Sequence, residues 1–292
     1  MTQTRFTPSL LWQHGMATFK GLTPDALYIS FFCFLVPQFI FSIFFGELSL
    51  QLDADLTDFG AKVGPVPSII ELLPIAQKHA WQALVGLVSL SFFYLIGLGA
   101  LLSLAAHRYQ GHQEKLGFKL FKAGLLNAPQ LGFIFCCSLF IAAIAGSITP
   151  ALIILTLTLI FAPAQKSVST DGVISAVFQT LTLSFAKPIA AGRMAIFLHA
   201  LATCSVIYLC LFVGNFLGQL DILARVDLGL ARDHWALNAN VSALPALRGL
   251  SVLLETCLFA LAACLWAAFS TSACRLANAT LQNNQHSIRT AI

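Results

Sequence analysis

Few residues in this chain have the type and setting to do chemistry, and Glu255 stands first among them. It sits in an otherwise uncharged apolar run from Gly249 to Ala273. A carboxyl placed centrally in a bilayer costs at least about 2.5–3.5 kcal/mol on insertion scales. Its presence points to a proton or cation site, or to an acid that is packed, hydrogen-bonded or reached by water. Asn215 falls at a comparable depth in the run Met194 to Leu220, and His199 lies in the other half of that run. No GxSxG, HExxH, Walker loop or Gly-rich dinucleotide fingerprint occurs, so neither an enzyme nor a cofactor is expected. His107 and His112 flank Arg108 and are not expected to form a metal site. Asp53, Asp55 and Asp58 invite a calcium reading. An EF-hand loop needs Gly at its sixth position and Glu at its twelfth, whereas these are Asp58 and Gly64, so the match fails. All eight cysteines lie in apolar stretches and no CxxC occurs, which makes them small embedded hydrophobes and no disulfide framework.

Membrane-spanning helices must position these groups. Of 292 residues, 58% are apolar and only 10% charged, with a mean hydropathy of +0.83. A soluble domain carries about 25% charge, so a soluble enzyme, a secreted domain and a disordered chain are excluded. The net charge of +4 is too small to suggest nucleic-acid binding. A span needs roughly 20 apolar residues. The sequence therefore predicts an all-α, polytopic fold with six spans, near 26–46, 81–106, 124–146, 149–165, 194–220 and 249–273. The uncharged stretch between Lys122 and Lys166 would run to roughly 65 Å as one helix, about twice the hydrocarbon thickness. Gly146-Ser147-Ile148-Thr149-Pro150 is the turn that divides it. The first span starts too late and is too long for a cleaved signal peptide.

Lysine and arginine fall unevenly between the two sides. Eleven lie on the side of the termini (Arg5, Lys20, Arg108, Lys115, Lys119, Lys122, Lys166, Lys187, Arg193, Arg275 and Arg289), against five on the other. Both termini are thus expected in the cytoplasm of a bacterium's inner membrane. Residues 1–25 form a cytoplasmic segment with an interfacial helix opened by Thr7-Pro8, its apolar stripe formed by Trp12, Met16 and Phe19. Residues 26–275 form one membrane domain, and 276–292 a disordered cytoplasmic tail. A second interfacial helix places Leu116, Leu120, Phe121 and Leu125 on one face. Lys115, Lys119 and Lys122 share another, as candidate contacts to anionic lipid. A third spans 172–185. Outside, residues 47–80 form a long loop, with Ser68-x-x-Glu71 as a capping box and Pro74 as a kink.

Phe161-Ala162-Pro163-Ala164 at the end of the fourth span, Asp171-Gly172 before Ala176 and Ser184, and Gly97 and Gly99 in the second span resemble the YciC-like family of bacterial inner-membrane proteins. The resemblance covers roughly 10–275. Similar membrane domains occur fused to glycerophosphodiester phosphodiesterases, an enzymatic domain this sequence does not contain. The resemblance implies a membrane protein without an assigned activity. Two roles are expected: a non-enzymatic accessory or envelope-organising component, or a small transporter or channel using Glu255. Expected partners are membrane lipids, a membrane or cytoplasmic protein, or a second copy of the chain.

Overall fold

The computed structural model describes residues 7–63, 69–112, 117–145 and 243–289. Among these the protein is helical throughout, with no strand. The order is α1 (Pro8–Leu22), α2 (Asp25–Ser30), a π-helical turn (Phe31–Leu35), α3 (Val36–Val63), α4 (Ile69–Tyr109), α5 (Lys119–Ala145) and α6 (Ala243–Arg289). Three stretches are long and apolar enough to cross a membrane: Asp25–Phe44, Leu73–Tyr109 and Val252–Thr280. They contain most of the first, second and sixth expected spans, and α5 covers nearly all of the third. The spans expected at 149–165 and 194–220, with the 172–185 helix, lie outside the described residues.

Thr7 caps α1 by accepting from the Leu10 N–H at 3.3 Å, and Pro8 follows where a missing N–H does no harm. The buried face of α1 is Leu11, Gly15, Thr18 and Leu22, at i, i+4, i+7 and i+11. It lies one residue away from the expected stripe, leaving Trp12 exposed. The reason is the fit against α6. A Cβ at Gly15 would fall 2.7 Å from the Phe269 ring, and Thr18 Oγ1 meets Ser272 Oγ at 3.4 Å. Small residues on α6 (Ala262, Ala263, Ala267, Ala268 and Ala273) let its neighbours approach closely.

The π turn lies just before Pro37. A proline cannot donate to the preceding turn, and its ring crowds the carbonyl four residues back. The Val36 N–H bonds to the Phe31 carbonyl, five residues back, so the widened turn absorbs the disruption. The break expected at Pro37 is a change of helix type, and the helix continues.

Three expectations are corrected. Residues 47–80 are mostly helix and not a loop. α3 runs on to Val63 and α4 begins at Ile69, directly after Ser68. Between Glu47 and Phe59 no Gly or Pro interrupts, and the helix meets its barrier only at Gly64-Pro65-Val66-Pro67. Nor are residues 276–289 disordered. α6 continues to Arg289, with Leu276, Ala277 and Thr280 buried where α1 packs on it. The second interfacial helix is also not separate. Its described part forms the start of α5, with Leu120 buried and Leu125 exposed.

The core joins Leu22, Ile29 and Phe34 with Leu101, Leu104, Leu120, Leu131, Trp266 and Ala267. α4 and α5 cross at Gly99 and Gly124, where a Cβ at Gly99 would fall 2.9 Å from the Gly124 carbonyl oxygen. Asn127 Nδ2 donates across this crossing to Ser103 Oγ at 3.0 Å, a polar tie of the kind that joins helices in lipid. α4 ends in a Schellman motif. The His112 N–H returns to the His107 carbonyl and the Gly111 N–H to that of Arg108, with Gly111 at φ +81°.

Candidate functional site

Three helices bring one polar side chain each to a single level of the bundle. Tyr94 of α4 donates its hydroxyl to Gln38 Oε1 of α3 at 3.1 Å. Glu255 of α6 lies within electrostatic reach of the same Tyr94. Beside this layer the Tyr94 ring packs against Phe34 at 5.1 Å and Phe259 at 4.8 Å, and those two rings meet edge-on at 5.1 Å. The sequence spacing explains the stacking. Phe34 precedes Gln38 by four residues on its helix, and Phe259 follows Glu255 by four on a helix running the opposite way. Both aromatic residues therefore lie toward the α1 end of the bundle, and both polar ones toward the far end. A carboxyl can give or take a proton here, and the carboxylate, phenol and amide oxygens can coordinate a small cation. The three rings form an apolar floor on one side of it.

Among the described residues expected at a site, Glu255 alone belongs to this layer. Asn215, His199 and Lys115 lie outside the described residues. Lys119 and Lys122 stand exposed on the first turn of α5. Gln38 was legible only as the neighbour of Pro37, and Tyr94 gave no signal, because its role depends on a partner 56 residues away.

A second polar pair closes the α1 end. Arg108 Nη2 donates to Asp25 Oδ2 at 2.6 Å, with the side chains only 8% and 11% exposed. Arg108 Nη1 also donates to the His112 carbonyl at 2.8 Å, so the guanidinium ties the α4 terminus to the start of α2. An acid in the first turn of a helix and a base in the last both complement the helix dipole. This acid reaches the His107–Arg108–His112 segment from a distant part of the chain, yet it pairs with the arginine. Among the described residues, no group of three or more His, Cys, Asp or Glu is placed to hold a metal.

At the far end, Asp55 Oδ2 accepts from Lys78 Nζ at 2.9 Å and lies 2.9 Å from His79 Nε2. The hydrogen bond from Lys78, then that from His79, holds the Asp55 carboxyl below the usual carboxylate range. Cys33, Cys136, Cys257, Cys264 and Cys274 are all free thiols. Set against family models, curated protein sequences and solved structures, the chain matches none of them.

Proposed function

We propose that this chain is a non-enzymatic protein of a bacterial inner membrane, YciC-like in family, with six spans and both termini in the cytoplasm. It acts there as an accessory or envelope-organising component. The observation that carries this reading is the length of the α3–α4 hairpin. α4 alone has 41 residues, about 60 Å, or roughly twice the hydrocarbon thickness. Its first turns and the second half of α3 thus extend beyond the hydrocarbon as a paired arm, fastened by Asp55 and Lys78. By the lysine and arginine balance, this arm faces outward, where a rigid projection is useful for joining envelope components.

The test is mass spectrometry of the protein in native-lipid particles, comparing the full chain with a variant shortened between 48 and 75. A stoichiometric protein partner that is retained by the full chain and lost by the inserted, shortened variant is the expected result. A lone chain with a retained small molecule would sink this reading.

The Gln38–Tyr94–Glu255 layer favours a second reading, a small transporter or channel. On that reading Glu255→Gln abolishes flux in vesicles while the protein still inserts and folds. Unchanged flux in both Glu255→Gln and Glu255→Leu removes it.

A further inference from the structure

We propose that the exposed aromatic face where α2 meets the start of α5 is a binding site for an anionic phospholipid, with Lys119 and Lys122 as its headgroup ligands. A continuous run of ring contacts defines the face. Phe118 packs on Phe121 at 5.8 Å, Phe121 on Tyr28 at 5.7 Å, Tyr28 on Phe32 at 4.7 Å, and Phe32 on Phe31 at 5.1 Å. The helices bury little of it. Phe118 is 82% exposed, and Phe31, Tyr28 and Phe32 are each close to half exposed. A contiguous exposed apolar patch marks a surface with a partner.

The direction of the face fits the shape of a phospholipid. Phe118 sits beside Lys119, at the end of the bundle where Asp25 and Arg108 meet. Phe32 lies seven residues past Asp25, about 10 Å further into the first candidate span. The lysines therefore stand at headgroup level, while the rings run down along the upper acyl chains. Aromatic side chains collect at this depth because one end meets hydrocarbon and the other meets water.

Charge selects the headgroup. Lys119 and Lys122 are three residues apart on one helical face, and both are exposed. Arg108 adds little, since Asp25 neutralises it. A net negative headgroup is favoured by the two lysines.

The inference rests on the membrane reading and is independent of the hairpin's role. The full chain is reconstituted into nanodiscs of mixed phosphatidylglycerol and phosphatidylcholine, and the lipid retained on extraction is counted by native mass spectrometry. The wild type is expected to retain phosphatidylglycerol well above its share of the mixture. With each surface lysine worth about 1 kcal/mol, K119Q/K122Q lowers that selectivity roughly thirtyfold, and K119R/K122R keeps it. Equal retention of both lipids by the wild type, or undiminished selectivity in a folded K119Q/K122Q, overturns the site. A wild type that enters the nanodisc without any preference leaves the membrane reading standing. One that does not enter overturns both.

Discussion

Asp25 and Asp55 stand thirty residues apart on one arm of the hairpin, and the bases they hold, Arg108 and Lys78, stand thirty apart on the other. One antiparallel register therefore serves both ends, and the Tyr94–Gln38 bond lies close to the same register between them. Thirty helical residues rise about 45 Å, which matches a bilayer measured with its headgroups. On the proposed membrane reading, the two ion pairs belong to opposite surfaces.

That spacing makes a prediction about accessibility. Single cysteines placed at Thr23 and at Ala54, in a background without native cysteines, are expected to react with an impermeant thiol reagent from opposite sides of a sealed vesicle. Labelling of both from the same side would contradict the assignment of the pairs to opposite surfaces.

The two pairs differ in burial, and so in their response to mutation. Asp25→Asn leaves the Arg108 charge withdrawn from water with no counter-charge, a loss of about 3–5 kcal/mol. The double change Asp25→Asn with Arg108→Met removes both charges and is expected to recover much of that loss. Thermal unfolding in native-lipid particles measures both. Equal destabilisation by the single and double changes would show that the pair's charges are not the cause.

The Asp55 clasp responds to acid. Because the folded carboxyl lies below its unfolded value, its contribution is fully present above the unfolded pKa of about 4 and is lost as pH falls through the folded value. The arm is thus expected to stay fastened from neutral pH down to about 4 and to loosen below that. Amide exchange across 54–56 and 77–80 follows it, and Asp55→Asn should exchange faster at neutral pH and lose the acid step.

At the α4–α5 crossing the effect is steric. Gly124→Ala drives a methyl against the Ile96 carbonyl, a backbone atom that cannot swing aside, and is expected to cost about 1–3 kcal/mol. Gly132→Ala meets only the Leu95 Cδ1 methyl at 3.4 Å, the mobile end of a side chain, and should be nearly neutral. Comparing the two by thermal unfolding separates close packing from the general helix preference for Ala.

Much of this was legible because membrane spans announce themselves through length and the absence of charge. The stretches near 26–46, 81–106 and 249–273 needed no tertiary information. What stayed hidden depends on pairing between distant residues. Asp25 is one of three acids in the segments expected on one side, against eleven bases, a hint that it has a special partner, yet nothing local singles out Arg108, 83 residues on. The helical arm was hidden for another reason. Residues 47–63 mix charged and apolar types with no clear helical period, so a polar loop was the default. α1 showed its period but not its phase, since Gly15 and Thr18 reveal their value only once Phe269 and Ser272 face them.

The widened turn at Phe31–Leu35 holds one residue more than an α-helix would. The wide turn takes up that residue locally, so the helix on either side of it keeps its facing. Removing a single residue from this turn is expected to restore an ordinary helix and leave both ends aligned, Gln38 toward Tyr94 and Asp25 toward Arg108. The same deletion further along α3 meets no such turn and would rotate all that follows by about 100°. The turn is thus a place where the first span can lose a residue without losing its facing.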